Sequence, residues 1–452
     1  MSAQPVYIPE RNVDVIEPGL RPRKGRVALN LVRDITFQTD ALRSYAFARW
    51  EDETCDALVL AGAVEYIDHL VKRPETGWTR RLTVRVPVHD PARWQSPKVY
   101  EALQEVLCFL TGDIWEIEFV KRRSLAPRPP QEYLNLSVPT KAVLAYSDGM
   151  DSRAVAGLLG TAMGDELILV RVGSKKWDLR NGSTEAFTKV PYKVPCNMPN
   201  RETSSRTRGF KYALISGIAA HLTNAPEVII PESGQGSIGP ALITSVHSYP
   251  DYRNHPLFTV KMERFLKALL GHEVRFAFPR IWNTKGETLR EFAGKPGADW
   301  QSTRSCWRNN QWSAVNRKLR QCGVCAACML RRVSVHAAGL TEEPNVYVST
   351  NMAGRTVEDS VDPKFTRFST AFRTYAIAGV LHMDHLAEMS KPDAAHIVKR
   401  HALFLGPALR LDPKIATEKL SALLQRHAAE WSSYLDHVGK NSFIRQWARY
   451  QP

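Results

Sequence analysis

The run from Ser147 to Ser152 could bind phosphate, because it lies between a predicted buried strand and a predicted helix. Such a turn exposes backbone N–H groups at the positive end of the helix dipole. Gly149 permits close approach of a ligand, and the hydroxyl groups of Ser147 and Ser152 add donors. Asp151 can cap the helix or help to hold Mg²⁺ between phosphates. An ordinary capped helix uses the same residue types, so the local sequence leaves both interpretations open.

Four of the seven cysteines have the spacing of a metal site. Two-residue steps separate Cys322, Cys325 and Cys328, and Cys306 precedes them by sixteen positions. Short steps bring thiolates together, and a fourth thiolate completes the tetrahedral shell that Zn²⁺ prefers. The spacing predicts a closed structural zinc site, with an iron–sulfur centre or unmetallated redox thiols as alternatives. The remaining cysteines are predicted to be small buried residues: Cys55, Cys108 and Cys196.

The composition indicates a globular protein with anionic partners. Of 452 residues 44% are hydrophobic, and 61 basic against 46 acidic residues give a net charge of +15. The basic residues are spread along the chain, so nucleic-acid binding is compatible with this charge but not required. The sequence has no apolar run long enough for a membrane span and no signal-peptide pattern at its start. We therefore expect a cytoplasmic protein without membrane contact.

The order of predicted elements divides the chain into three regions. Strand-like and helical stretches before the proline-rich segment 124–130 indicate an α+β accessory region over residues 1–138. Strands and helices alternate over residues 139–340, which predicts an α/β fold with a doubly wound parallel sheet. Residues 341–452 are mainly helical, and the last amphipathic helix has an apolar stripe from Leu420 to Leu435.

The pattern Ser-x-Gly-x-Asp-Ser at residues 147–152 resembles the signature of PP-loop ATP pyrophosphatases, which have a HUP-like fold. These enzymes cleave ATP to AMP and pyrophosphate while they adenylate a substrate, so the resemblance implies ATP and Mg²⁺. Asp148 departs from the pattern, because glycine is usual there and a carboxylate repels phosphate unless it faces metal or solvent. The implied nucleotide contacts are Tyr146, Ser147, Asp148, Gly149, Met150, Asp151 and Ser152.

The loop and the cysteine cluster together resemble the 7-cyano-7-deazaguanine synthase (QueC) family. The zinc knuckle of that family is similar to residues 303–306 and 322–331 here. Further segments similar to family motifs are the helix beginning near Arg208, residues 250–253 and residues 285–287. The resemblance covers about residues 141–340.

This resemblance implies that Lys285 and Arg208 neutralise the leaving pyrophosphate as fixed cations. Arg208 carries over although Thr207 and Gly209 stand where the family has Gly and Asn. A lone basic residue is otherwise an ordinary surface charge. The predicted catalytic residues are Asp151, Ser152, Arg208 and Lys285.

Glu232 and Gln235 follow another predicted buried strand. In a doubly wound sheet, ligands bind beyond the carboxyl ends of the strands near the switch point. The two side chains are therefore expected to line the nucleotide pocket. A simple turn made by the glycines of this segment is the alternative.

The resemblance implies that 7-carboxy-7-deazaguanine is adenylated and then transferred to an amine. Residues 1–138 and 341–452 are absent from a minimal QueC enzyme, and long proteins of this layout resemble the QatC class and the QueC-like component of type IV CBASS. We therefore expect a role in antiviral defence, with a protein partner as the acceptor.

Other functions remain open at this point. One alternative is the housekeeping synthase that uses ammonia to make 7-cyano-7-deazaguanine. Another is a PP-loop tRNA-modifying enzyme, which needs a reactive thiol such as Cys196. A third alternative is a non-catalytic binding subunit that retains the fold.

Overall fold

A computed structural model of the chain describes residues 8–37, 51–74, 77–126, 140–147, 149–172, 187–190, 192–193, 201–243, 248–307 and 313–449. Asp148 and Cys196 lie outside the described residues, as does most of the proline-rich connector. What the sequence predicts for them stays a prediction.

The described residues contain strands and helices with the following bounds. The strands are β1 (Glu10–Ile16), β2 (Val27–Asn30), β3 (Thr36–Phe37), β4 (Arg81–Val88), β5 (Ile114–Lys121), β6 (Ala142–Ala145), β7 (Leu167–Val172), β8 (Phe187–Val190), β9 (Tyr192–Lys193), β10 (Glu227–Ile229), β11 (Arg275–Ala277), β12 (Ala314–Val315) and β13 (Lys318–Leu319). The helices are α1 (Asp52–Leu70), α2 (Pro91–Gln95), α3 (Pro97–Thr111), α4 (Met150–Met163), α5 (Arg208–Leu222), α6 (Gly234–Ser237), α7 (Gly239–Leu242), α8 (Pro256–Leu270), α9 (Lys285–Ala293), α10 (Ala326–Ala337), α11 (Val357–Ser360), α12 (Thr370–Glu388), α13 (Ala395–Ala408), α14 (Pro413–Val438) and α15 (Phe443–Trp447).

The chain forms two compact units, and each is described by itself. The first unit comprises Met1–Ser147, Ala162–Ile230 and Thr244–Ala277. The second unit comprises Asp148–Thr161, Pro231–Ile243 and Phe278–Pro452. The region boundaries after residues 138 and 340 rest on motifs and composition, and they stay predictions.

The first unit begins with a four-stranded sheet of order β2-β1-β4-β5. Every neighbouring pair in it is parallel. Its inner strand β4 alternates between buried and partly buried residues from Arg81 to Val86, with Leu82, Val84 and Val86 buried. Parallel neighbours need crossover connections, which are usually helical, and α1 and α3 lie between strands in the chain. The structure therefore corrects the predicted α+β region to an α/β region.

The second sheet of this unit has the predicted doubly wound topology. Its order is β11-β10-β6-β7-β8, and all its neighbouring pairs are parallel. Val143 of the central strand β6 pairs with Val228 of β10 on one side and Ile168 of β7 on the other. After β6 the chain adds β7 and β8 on one side of this strand, and it then adds β10 and β11 on the other side. Ligands of such sheets bind at this reversal, beyond the carboxyl ends of the strands.

Asp68 of α1 links the N-terminal region to α5 inside the first unit. Its Oδ2 accepts hydrogen bonds from the Thr207 backbone at 3.0 Å and from the Thr207 hydroxyl at 2.8 Å, and its Oδ1 pairs with Arg80 at 2.6 Å. Burial alone would raise the pKa of Asp68, but Arg80, Arg73 and the hydrogen bond from the Thr207 backbone together lower it. The hydroxyl at position 207 thus has a structural partner inside the first unit.

The second unit contains the helical C-terminal region that the sequence predicts. Helix α14 buries its predicted apolar stripe, and the Trp431 indole donates to Asp384 Oδ1 at 3.0 Å. His427, which lies within this stripe, is fully buried. Among the described residues, no helix is long and apolar enough to cross a membrane.

Candidate active site and metal centre

Lys285 and Asp151 form a buried ion pair in the second unit. The Lys285 ammonium contacts Asp151 Oδ2, and the two residues are 7% and 8% exposed. Asp151 lies in the first turn of α4, and Lys285 is the first residue of α9. Asp151 Oδ1 is buried and has no hydrogen-bond partner among the described residues. This second oxygen can therefore accept a hydrogen bond from a ligand or bind a cation.

The packing of α4 against α9 brings this pair together. Met150 and Ala154 of α4 share a buried apolar cluster with Leu289 and Phe292 of α9. A Cβ atom added to Gly157 would lie 2.3 Å from the Phe292 ring. Glycine at this position therefore allows the ring to lie directly on the helix backbone.

Thr284 caps the helix that carries Lys285. Its hydroxyl accepts a hydrogen bond from the Glu287 backbone at 3.1 Å, and Glu287 Oε2 accepts one from the Thr284 backbone at 2.8 Å. This reciprocal capping box satisfies two N–H groups that would otherwise have no partner. The start of α9, and with it the Lys285 backbone, is thereby held in place.

Gln235 holds the Lys285 backbone from the other side. Its Oε1 accepts from the Lys285 N–H at 2.7 Å, so its Nε2 must point away from α9. That amide donates to His427 Nδ1 at 2.9 Å and to Glu430 Oε2 at 3.2 Å. Since His427 Nε2 lies 2.9 Å from the Met383 carbonyl, the ring is neutral with its proton on Nε2. With this tautomer, every hydrogen bond of the Gln235 amide joins a donor to an acceptor.

Burial changes the pKa values of both α14 side chains in this network. Desolvation lowers the pKa of His427 to about 4, which agrees with a neutral ring that accepts from Gln235. Desolvation also raises the pKa of Glu430 to about 7, against hydrogen bonds from Thr284 and Gln235 that lower it. Glu430 therefore changes its charge near neutral pH.

The residues of the predicted phosphate loop, 146–152, differ in their exposure to solvent. Ser147 is exposed, whereas Tyr146 is buried and its backbone donates to Val170 at 2.8 Å. Met150 is 1% exposed, so its side chain belongs to the apolar cluster, and only its backbone can serve a ligand. The Ser152 hydroxyl donates to the Gly149 carbonyl at 3.1 Å, as an ordinary helix start would allow. The nucleotide contacts of these residues stay predictions.

Arg208 lies in the first unit, as the exposed first residue of α5. Its guanidinium carbon lies 5.3 Å from the centre of the Tyr212 ring. A Cβ atom added to the next residue, Gly209, would lie 2.9 Å from the Arg253 backbone. Glycine at position 209 therefore lets the start of α5 approach the backbone of Arg253 closely. The role of Arg208 as a cation for pyrophosphate stays a prediction.

The segment around Glu232 forms a tight turn in the second unit. Glu232 is partly buried, and its Oε2 lies 2.5 Å from where a Cβ atom on Gly236 would be. The buried Ser233 hydroxyl has no hydrogen-bond partner among the described residues. Of the two predicted pocket residues here, the structure brings Gln235 to Lys285, and for Glu232 the ligand contact stays a prediction.

The four predicted cysteine ligands converge in the second unit. The Sγ atoms of Cys306, Cys322, Cys325 and Cys328 all lie within 4.8 Å of one another. Cys322 and Cys328 are 3.8 Å apart, and a Zn–S distance of about 2.3 Å places the sulfurs of a tetrahedral site about 3.8 Å apart. The Cys322 N–H points at Cys306 Sγ at 3.2 Å, which favours a thiolate there. The donor set therefore fits Zn²⁺.

Buried polar side chains hold the irregular segment that contains Cys306 beside the knuckle. Gln321 Oε1 accepts from the backbone of Ser305 at 2.7 Å and of Cys306 at 3.2 Å. The fully buried Arg331 donates to the Thr303 hydroxyl at 2.7 Å and pairs with Glu342. This hydrogen bond joins the segment before Cys306 to the helix α10 that follows the knuckle.

Two cysteines outside the cluster agree with their predicted structural role. Cys55 is fully buried, and burial raises the pKa of its thiol to about 11. Cys108 is partly buried, and burial raises its pKa as well. Neither environment favours a reactive thiolate.

Sequence reasoning did not identify Thr284 or Glu430 as residues of the site. The pairing of Thr284 with Glu287 is a capping-box pattern, which the sequence shows. Glu430 has no local signal, because its partners lie 146 and 195 positions away.

Residues 237–339 match the family model of the queuosine biosynthesis protein QueC. The matched residues include Lys285 and the four cysteines, whereas the loop 147–152 and helix α14 lie outside the match. Comparison of the chain with curated proteins and with solved structures found no match. The segment that carries Lys285 and the zinc-type cluster is therefore QueC-like.

Proposed function

We propose that the protein is a QueC-like, ATP-dependent carbon–nitrogen ligase that forms AMP and pyrophosphate. The observation that carries this proposal is the buried contact between Lys285 and Asp151. Lys285 belongs to the QueC-like segment, and Asp151 belongs to a phosphate-loop motif outside it. Two independent signals from the sequence therefore meet in one ion pair.

In the proposed reaction, a carboxylate oxygen of the substrate attacks the α-phosphorus of ATP. The bond from that phosphorus to the bridging oxygen breaks, and pyrophosphate leaves with the electron pair. Lys285 and the N–H groups at the start of α4 stabilise the charge of pyrophosphate. The Asp151 carboxylate would hold Mg²⁺, which supplies further positive charge. The four cysteines would hold Zn²⁺ in a closed shell of thiolates, and the metal would then stabilise the fold.

In the second step, an amine attacks the acyl carbon of the adenylate and displaces AMP. We propose 7-carboxy-7-deazaguanine as the carboxylate and an amine of a protein partner as the acceptor, in antiviral defence. The family resemblance supports the base, and the regions absent from a minimal QueC enzyme support the partner. With ammonia as the acceptor, the first product would be an amide. A second ATP would then adenylate the amide oxygen, which leaves with AMP and gives the nitrile.

Product analysis tests this proposal. With MgATP, 7-carboxy-7-deazaguanine and ammonia as the amine, the full-length protein should release AMP and pyrophosphate in equal amounts. Lys285→Met should reduce this release by about 100-fold or more, because it removes a cation at the developing charge. Lys267→Met is the matched control, since the Lys267 ammonium is exposed and pairs with Glu273. Release of ADP, or of no nucleotide product, would contradict the proposal.

The acceptor is tested separately by mass spectrometry of a co-expressed partner. A base-sized adduct that disappears in Asp151→Asn supports a protein acceptor. An unmodified partner, together with a nitrile product when ammonia is added, supports the housekeeping reaction instead.

A further inference from the structure

Helix α14 lies outside the QueC-like segment, but Glu430 on this helix contacts two residues that hold Lys285. Its Oε1 accepts a hydrogen bond from the Thr284 hydroxyl, and its Oε2 accepts one from the Gln235 amide at 3.2 Å. Thr284 is the N-cap of α9, and Gln235 accepts from the Lys285 backbone. The Glu430 carboxylate is therefore connected to the first turn of α9 by two chains of hydrogen bonds, one through Thr284 and one through Gln235.

We propose that Glu430 is a positioning residue for the Lys285 ammonium, so that the C-terminal helical region completes the ligase centre. The proposal rests on the proposed ATP-dependent reaction. Glu430 acts through Thr284 and Gln235, which set the start of α9 and with it the direction of the Lys285 side chain. A small displacement of a group that stabilises developing charge has a large effect on rate.

The close approach of Glu430 to the α9 backbone supports this role. A Cβ atom added to Gly286 would lie 2.8 Å from Glu430 Oε1 and 2.9 Å from the Ala337 Cβ. The carboxylate is therefore seated where only glycine leaves room. Gln235 is likewise fixed, because His427 accepts from the same amide nitrogen that donates to Glu430.

The charge of Glu430 bears on both contacts. An ionised carboxylate accepts from Thr284 and from Gln235 at once, whereas a protonated one loses part of its capacity as an acceptor. Burial raises the pKa of this group to about 7, so the change falls near neutral pH. Of the charged groups that act on it, Glu287 raises its pKa and Arg290 lowers it. Arg426 pairs with Glu287, and His427 accepts from the same Gln235 amide that donates to Glu430.

Steady-state kinetics of three variants tests the proposal. Glu430→Ala should lower kcat for AMP release by about 10- to 100-fold while the KM for ATP stays within about threefold, because the lost interaction acts in the transition state. Glu430→Gln keeps a hydrogen-bonding side chain and should recover most of the rate. Its kcat should lack the rise near pH 7 that ionisation of Glu430 gives the wild type. Ser433→Ala is the control, since it removes an α14 hydrogen bond to His336 without contact to Gln235.

Hydrogen exchange of the Lys285 and Glu287 amides gives a readout that does not depend on activity. We expect faster exchange in Glu430→Ala than in wild type or Ser433→Ala, at equal global stability. Unchanged exchange, or wild-type kcat in a folded Glu430→Ala protein, would overturn the positioning role. Faster exchange in a protein whose wild type makes no AMP would retain that role and reject the ligase.

Discussion

The Lys285 ammonium pairs with the Asp151 carboxylate across 134 positions of the chain. Both residues are more than nine-tenths buried, so neither charge would be stable there without the other. One oxygen of Asp151 has no hydrogen-bond partner among the described residues. The ion pair therefore leaves Asp151 Oδ1 available to a ligand. Its contribution to the free energy of unfolding can be measured separately from catalysis.

Asp151→Asn should destabilise the protein by about 2 to 4 kcal/mol, because it leaves the Lys285 charge buried without a partner. Adding Lys285→Met removes that charge, so the double variant should be more stable than Asp151→Asn alone. Urea unfolding measures both differences. A double variant less stable than Asp151→Asn would show that the Lys285 charge is not left without compensation when Asp151 is neutralised.

Removal of zinc should unfold the knuckle, because the four thiolates would repel one another without the metal. We expect one zinc per chain by elemental analysis and a marked fall in Tm after chelation. Cys325→Ser should lose the metal and the stability together. Cys108→Ser, outside the cluster, should retain the metal. Iron in place of zinc would contradict the structural assignment.

The stability of the protein should depend on the charge of Glu430. Its pKa is raised to about 7 from an unfolded value of 4.5, so its contribution is fully present below pH 4.5 and is lost as pH rises to about 7. Relative to Glu430→Gln, the wild type should lose up to about 3 kcal/mol over this range, less if partial exposure screens the charge. Urea unfolding at pH 5.5 and pH 8 measures this loss, and parallel profiles of the two proteins would contradict it.

His427 should have the opposite pH dependence. Its pKa is lowered to about 4 from 6.5, so the neutral ring contributes stability above pH 6.5 that is lost as pH falls toward 4. In His427→Gln this acid-dependent loss should be absent, which unfolding curves at pH 5 and pH 7 can show. An equal loss in the variant would assign the effect to another group.

Gly157→Ala should destabilise the protein by about 1 to 3 kcal/mol, because the new Cβ would overlap the Phe292 ring and push α4 away from α9. Gly160→Ala on the same helix is the matched control. A Cβ atom there meets nothing within 4 Å, so the substitution should stabilise the helix by up to about 1 kcal/mol. Thermal unfolding measures the stability of both variants. Equal changes in Tm would show that α4 does not pack closely against Phe292 of α9.

The doubly wound, parallel class of the second sheet could be predicted from the sequence, because alternation of strands and helices restricts the topology strongly. The order of its strands came from the structure. The N-terminal region shows the limit of that reasoning. Its strands and helices were recognisable, but whether neighbouring strands run parallel depends on how the connections cross. Only the observed pairing of β1 with β2 and β4 showed that this region is α/β.

By itself, the sequence determined the cysteine cluster and the phosphate-loop motif, because ligand spacing and a strand-to-helix turn are local properties of the chain. Tertiary structure alone decided that Lys285 pairs with Asp151 and that Glu430 supports both Thr284 and Gln235. These contacts join segments separated by more than a hundred positions, and they form only when α4, α9 and α14 pack together. No local pattern can specify them, since their energy comes from burial and from partners brought together by folding.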